Sequence, residues 1–455
     1  MTKKPIVILG GGPTGLAAAY KLAQMKKKFI LLEKENYLGG LSATLKHGHL
    51  SYEFGPHAFH LKDPQITTWL KKLLGKDFRI ISTHTKVLID GKLLNYPLSA
   101  GELLKKIKPT LGFRIIFEYF YAYLKSIVKP QKIVSFQDWG LQNFGPTLYK
   151  LSFGDFTKKV WGIDPKELSY RLATNKLSRL NLADILLNLL GFKGKDQPAY
   201  FKKYLYPVDG ARKIFESMAQ TIRKQGEILL GAKVLFLKSK NNQIYAVEYQ
   251  DKAGQKHQLD CQQVISTLAP KDVFAMINHP LARELVSAAK QLDYRGLIIV
   301  YLVVQDDNLP DAQWIYLVED KFRGNRLAIN KNLSPEFVKK RKTILAFEIS
   351  ASRSDELWQA ADVKLLEMAK ADLRRLGLEN LEIFDYFVKR LDDAYPIYRL
   401  AYEKKLRLVL DEINKISNLI STGRNGLFLN SDIHDSFQMG FEAAQIVTRK
   451  KVKNG

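Results

Sequence analysis

Three glycines in the pattern Gly10-x-Gly12-x-x-Gly15 lie between an apolar run, Ile6 to Leu9, and a helix-forming stretch, Leu16 to Ala23. A second apolar run, Phe29 to Leu32, follows and ends in Glu33 and Lys34. This spacing predicts a strand, a tight turn, a helix and a second strand within about thirty residues, the geometry of a dinucleotide-binding unit. Gly10 permits the turn, Gly12 lets the backbone approach a diphosphate, and Gly15 lets the helix pack closely on the sheet. Pro13 and Thr14 open the helix, whose N-terminus favours an anion. Glu33 is placed to accept hydrogen bonds from a ribose. Without its flanking elements the glycine pattern is only a turn; with strand, helix and terminal acid in register it is a cofactor site.

The chain has 455 residues, 46% of them hydrophobic, which is enough for about three domains or for fewer large interleaved ones. The single cysteine, Cys261, rules out an intramolecular disulfide and a cysteine metal cage, and fits a reducing cytoplasm. Lys3 and Lys4 before an apolar run resemble a secretion signal, but Gly10, Gly11, Gly12 and Pro13 break its core. The most apolar long stretch, Leu111 to Val128, contains Arg114, Glu118 and Lys125, so no transmembrane helix is expected. The net charge of +25 favours anionic partners. Because Lys and Arg are spread along the whole chain without nucleic-acid-binding signatures, no nucleic-acid partner is expected. The stretch Leu104 to Lys132 interleaves Phe113, Phe117, Tyr119, Phe120, Tyr121 and Tyr123 with lysines. It reads either as a packed lid or as an interfacial helix giving peripheral membrane association, at the inner face if the chain is cytoplasmic. Oligomeric state is left open.

Further along, a helix is expected over Ala211 to Lys224, with strands near Lys233 to Leu237, Ile244 to Tyr249 and Val264 to Ser266. Leu297 to Val304 and Ile344 to Ile349 read as buried strands, Asp362 to Leu376 as a helix, and Ser436 to Lys450 as a closing helix.

Leu38-Gly39-Gly40-Leu41-Ser42-Ala43-Thr44 resembles the second Gly-Gly motif of the amine oxidase superfamily of flavoproteins, with Tyr37 and Leu41 where arginines usually flank the pair. Gly55-Pro56-His57-Ala58-Phe59-His60 resembles the loop that UDP-galactopyranose mutases and protoporphyrinogen-oxidase-like relatives hold against the isoalloxazine. The two imidazoles could instead be a fragment of a metal site, but no third ligand is nearby and no metal is expected. Phe156-Thr157-Lys158-Lys159-Val160-Trp161-Gly162 resembles the Tyr-Thr-x-Lys-x-Trp-Gly stretch of those families. The segments at Tyr206 to Met218, Leu292 to Arg295, Ala394 to Tyr398, Thr422 to Gly426 and Asp432 to Gly440 extend the resemblance over nearly the whole chain.

That resemblance implies FAD as the cofactor. It also implies an α/β fold (α+β overall) in which a Rossmann-like FAD-binding domain, residues 1–75, 205–290 and 405–455, interleaves with a substrate domain. The latter combines a helical cap, 76–204, with a sheet floor, 291–404. The cofactor residues implied are Gly10, Gly12, Pro13, Thr14, Gly15, Glu33, Lys34, Gly39, Gly40, Leu41, Ser42, Gly55, Pro56, His57, Val234, Gly423, Arg424, Asp432, Asp435 and Ser436. His57 is expected at the reacting face. Arg295 and Arg326 are candidates to orient an anionic small-molecule substrate, Tyr395 is a further catalytic candidate, and Phe156, Trp161, Arg179 and Tyr398 are substrate-binding candidates. Lys331 is a candidate for the flavin-proximal lysine of amine oxidation. Asn175 stands where the mutases carry a diphosphate-binding arginine. The leading expectation is an oxidoreductase in which flavin N5 takes a hydride from an organic substrate. The alternatives are a redox-neutral nucleotide-sugar mutase using reduced flavin as nucleophile, and a flavin-binding protein without catalysis.

Overall fold

A computed structural model describes residues 4–449, except 58, 62, 97, 99–101, 103–104, 130, 177–202 and 278–282. Its first layer is a five-stranded sheet in the order Glu227–Leu230, Phe29–Glu33, Ile6–Leu9, Gln263–Ser266, Leu419–Ser421. Every pairing in it is parallel. Parallel strands need coverage on both faces, and these are almost wholly apolar for that reason. The helices Pro13–Gln24, Arg212–Ile222 and Ile433–Arg449 contribute Leu16, Ala17, Ile214, Phe215, Phe437 and Ala444 to one core with Ile6, Ile8 and Leu31. The closing helix begins at Ile433, three residues before the sequence-based start, and its Gly440 touches the first helix. A Cβ at Gly440 would lie 2.2 Å from the carbonyl oxygen of Thr14. An antiparallel sheet of Lys233–Lys240, Gln243–Gln250 and Lys256–Asp260 stands beside this layer.

The second large sheet has seven strands in the order Ile383–Pro396, Tyr294–Gln305, Lys342–Ser350, Arg326–Ile329, Trp314–Leu317, Thr85–Ile89, Lys92–Tyr96. Its two faces follow the alternation of side chains along each strand. Ile298, Val300, Leu302, Leu345 and Phe347 meet Leu365, Ala369 and Leu373 of the helix Asp362–Arg375. Ile299, Tyr301, Ile344, Ala346 and Ala328 face the N-terminal segment, against Ala43, Leu50, Tyr52 and Phe54.

The segment 76–204, expected to be helical, begins instead with three strands, Phe78–Ser82, Thr85–Ile89 and Lys92–Tyr96. The last two are joined at Asp90-Gly91, both with positive φ (51° and 69°), the turn geometry that an Asp-Gly pair favours in a hairpin. Helices follow at Pro109–Val128, Phe136–Tyr149 and Asp155–Trp161. Residues 177–202 of the expected helical cap lie outside the described residues.

Candidate functional site

The glycine turn is shaped by contacts that leave no room for side chains. Gly10 has φ +101°, and a Cβ at Gly15 would sit 1.9 Å from the carbonyl oxygen of Gly10. Gly12 differs: a Cβ there would meet nothing within 4 Å, so open space lies beside the helix start. The helix Pro13–Gln24 has no side-chain cap and no acid in its first turn, so its orphan N–H groups and positive dipole end are available to an anion. The Gly39-Gly40 turn is stacked on this one. The Gly39 N–H donates to the Gly11 carbonyl (2.9 Å), and a Cβ at Gly40 would be 3.2 Å from the Gly12 Cα. Leu41 and buried Ser42 continue that turn.

Glu33 is buried, and each carboxylate oxygen takes one backbone donor: Gly11 N–H at 2.6 Å and Glu35 N–H at 2.8 Å. Burial pushes its carboxyl above the usual range, and those N–H groups pull it back. Both oxygens keep a lone pair for a ribose hydroxyl. Val234 is buried one strand away, and the Ala232 N–H donates to the Glu33 carbonyl (2.8 Å). Lys34 is mostly exposed beside Glu35. From the far end of the chain, Gly423 (φ +85°) lies where a Cβ would be 2.7 Å from Thr14 Oγ1. Asp435 Oδ2 accepts the Asp432 N–H (3.1 Å), and Ser436 Oγ donates to the Asp432 carbonyl (3.3 Å), organising the start of Ile433–Arg449. Arg424 donates to the carbonyls of Ser431 (2.7 Å) and Ala394 (2.9 Å), and its guanidinium lies 5.5 Å from the centre of the Tyr395 ring.

The Gly55–His57 loop joins this cradle to the seven-stranded sheet. Gly55 has φ +98°, and a Cβ there would stand 2.8 Å from Arg326 Nη2 and 3.0 Å from Glu348 Oε1. Arg326 and Glu348 are cross-strand partners, with Nε and Nη2 at 2.9 and 2.8 Å from the same carboxylate oxygen. Burial works against the Arg326 charge, but Glu348, helped by Tyr395 and Tyr316, holds its pKa above the ordinary value. Burial raises the Glu348 carboxyl, while Arg326 and then His57 draw it back. Tyr316 is the next cross-strand neighbour of Arg326 and meets Phe156 edge-on at 6.1 Å. Trp161 meets Tyr395 edge-on at 6.0 Å. Arg326, Tyr395, Trp161 and Phe156 therefore belong to one neighbourhood behind the His57 loop.

His57 points Nδ1 towards Glu53 Oε2 at 3.6 Å, and neither atom has a hydrogen-bond partner. Glu53 itself is fixed: Oε1 accepts Thr44 Oγ1 (2.7 Å) and Ala211 N–H (3.2 Å), and the Tyr301 hydroxyl donates to its backbone carbonyl (2.8 Å).

Three candidates take other roles. Arg295 is buried and its guanidinium is bound within the protein, to Asp355 (2.6 Å), Ser352 Oγ (2.9 Å) and the carbonyls of Ser350 (2.9 Å) and Val160 (3.2 Å). It ties the strand Tyr294–Gln305 to the cap instead of facing substrate. Tyr398 is fully buried, stacked on Tyr402 at 4.5 Å, with its hydroxyl accepting the Asn430 N–H (2.8 Å); it is core. Lys331 donates to the Asp306 carbonyl, at the far end of its sheet. Arg179 lies outside the described residues, as does the Asn175 side chain.

Sequence reasoning passed over Glu348 and Lys159. Glu348 is a lone acid in the otherwise apolar Ile344 to Ile349 run, and that interruption was its signal. Lys159 reaches four carbonyls, of Leu317 (2.6 Å), Glu319 (3.1 Å), Gly324 (3.2 Å) and Phe322 (3.3 Å), fastening the helix Asp155–Trp161 to the sheet.

Comparison with known proteins agrees with this architecture. The chain is 24% identical over 195 residues to the probable UDP-galactopyranose mutase of Klebsiella pneumoniae, covering 41% of this chain and 49% of the relative. It is 26% identical over 181 residues to protoporphyrinogen oxidase 1, chloroplastic, of Arabidopsis thaliana, covering 38% and 33%. The alignments thus span less than half the length of either curated relative. A crystal structure of reduced UDP-galactopyranose mutase superposes with TM-score 0.84 at 18% identity, over 98% of this chain and 96% of the other. The model of the flavin-containing amine oxidoreductases matches residues 13–448. With its glycine turns, its buried Glu33 and this match over almost its whole length, the chain belongs to the flavin-containing amine oxidoreductase family, and its cofactor is FAD.

Proposed function

We propose that the chain is a redox-neutral flavin mutase or isomerase acting on an anionic nucleotide sugar, with a substrate domain drawn from residues 76–204 and 291–404. The observation that carries this reading is Arg326. It spends Nε and Nη2 on one oxygen of Glu348, which leaves Nη1 to meet a diphosphate, and it sits behind the His57 loop among Tyr316, Tyr395 and Trp161. Similarity to a protein described as a UDP-galactopyranose mutase supports the same substrate class.

FAD would be held by Gly10, Gly12, Gly15, Glu33, Gly39, Gly40 and Gly423, and when reduced it would supply an electron-rich ring. The chain's own residues bind, orient and screen. Phe156 and Trp161 offer flat faces to a base or sugar ring; Phe156 cannot donate the hydrogen bond a tyrosine would. The Glu53 carboxylate, fixed by Thr44 and Ala211, lies 3.6 Å from His57 Nδ1, so Nε2 would be the ring nitrogen left for the flavin or the substrate. The buried Glu348 keeps Arg326 in place and offsets its charge.

Net oxidation of an organic substrate is the second reading. Asn175 in place of the mutase arginine favours it, as does similarity to a protoporphyrinogen oxidase. The two separate by redox demand. Purified protein should turn over UDP- or dTDP-hexoses only after the flavin is reduced, with no net consumption of reductant. Anaerobic bleaching of the flavin by an organic metabolite, with no thermal shift from any nucleotide sugar, would replace the mutase reading with the oxidoreductase.

A further inference from the structure

The helix Pro109–Val128 is packed on one side only. Gly112, Ile115, Tyr119 and Ala122 are buried, and the helix lies along Phe136–Tyr149. The opposite side shows Phe113, Phe117, Phe120, Tyr121, Leu124 and Val128 at helical spacing, with Phe113 68%, Phe117 73% and Val128 83% exposed. Isolated apolar residues on a surface are ordinary, but a contiguous aromatic stripe of this kind marks an interaction face.

Charge says what the face meets. Between residues 105 and 132 there are seven cations, Lys105, Lys106, Lys108, Arg114, Lys125, Lys129 and Lys132, against one acid, Glu118. Glu118 is taken by Arg114, and Lys106 by Glu102, while Lys105, Lys108, Lys125, Lys129 and Lys132 are exposed around both ends of the stripe. A second copy would bring the same cations onto the same face, in a chain whose net charge is already +25. No helix among the described residues is long and apolar enough to cross a membrane, so this one can lie on a bilayer but not span it.

We propose that this face of Pro109–Val128 docks on an anionic lipid surface, its rings at the level of the headgroups and its lysines against the phosphates. The buried side of the same helix contributes Ile115 to a cluster that Phe156 and Tyr316 border, so docking sets the candidate pocket one helix thickness from the lipid, about 10 Å.

The test is flotation of the full-length flavoprotein with vesicles of phosphatidylcholine alone or mixed with phosphatidylglycerol, at low and moderate salt. Binding is expected to the mixed vesicles, several-fold weaker with phosphatidylcholine alone, and reduced by salt. The double variant Phe113→Glu/Phe117→Glu, whose unchanged flavin content and melting temperature would show that it folds, should lose about tenfold or more of the partitioning. Failure of the wild type to bind mixed vesicles would overturn the proposal. So would equal binding of wild type and variant, which would mean bulk charge alone. So, too, would a wild-type dimer that ignores vesicles and that the variant dissociates, because the face would then belong to a second copy.

Discussion

The candidate cofactor cradle and the candidate substrate pocket are built from different material. The cradle is backbone: Gly10, Gly12, Gly15, Gly39, Gly40 and Gly423 bring turns and helix starts together, and a Cβ would collide with a main-chain atom or a short side chain at Gly10, Gly15 and Gly423 and with the Phe215 ring at Gly39. The candidate pocket is made of long side chains that meet between strands and between the sheet and the helix Asp155–Trp161, with Arg326 on Glu348, Tyr316 against Phe156 and Trp161 against Tyr395. At Gly10, Gly15, Gly39 and Gly423 the backbone geometry leaves no room for a side chain, which favours keeping one cofactor. Side-chain geometry can be re-paired and so can be turned from one substrate to another on the same scaffold.

The sharpest contrast comes from Gly15→Val. Its Cβ would occupy the place of the Gly10 carbonyl, so the strand and helix must part and the purified protein should be colourless or insoluble. Soluble protein with normal flavin content would break the claim that the turn admits no side chain at Gly15. The pocket should behave in the opposite way. Glu348→Ala strands a buried guanidinium and should cost about 3–5 kcal/mol in urea unfolding. The double change Arg326→Met/Glu348→Leu should recover most of that loss, with flavin retained and substrate response gone. A double variant as unstable as the single would place the pair in the fold and not in the pocket.

Lys159 gives a pH test of the joint between cap and sheet. Burial pulls it from an ordinary value near 10.5 down to about 8, against the attraction of Asp320, Asp372 and Glu319. Between those pH values the unfolded chain holds a proton that the folded chain has released, so stability rises with pH across that window. The rise should be up to roughly 3 kcal/mol. Below about pH 8 both states are protonated and the slope vanishes. Lys159→Met should remove the rise, measured as chemical denaturation at a series of alkaline pH values; an unchanged slope would refute the assignment. The smallest effect belongs to Glu33→Gln, which keeps one acceptor oxygen but loses the charge. FAD affinity should fall about tenfold, or roughly 1.4 kcal/mol, in a reconstitution titration.

The same division explains what could be read in the residues alone. Glycine spacing, the apolar runs Ile6 to Leu9 and Phe29 to Leu32, and the acid at Glu33 are local signals, and they led directly to the parallel sheet and the cradle. The hairpin at Asp90-Gly91 was equally local in its turn chemistry but was absorbed into an expected helical segment. The pocket depended on cross-strand register. Nothing local around Arg326 distinguishes it, and the resemblance at Leu292 to Arg295 does not say what Arg295 binds. Only the sheet order puts Glu348 opposite one and Asp355, Ser352 and two carbonyls around the other. Tyr398 was ambiguous for the same reason, since its stacking partner Tyr402 lies four residues on but across the turn into the next helix.

The most direct test of the account is the FAD content of the purified chain. Denaturing the protein should release close to one FAD per chain, with no flavin left attached to the polypeptide. A colourless protein that takes up no FAD on reconstitution would contradict the cradle, and with it the pocket built against it.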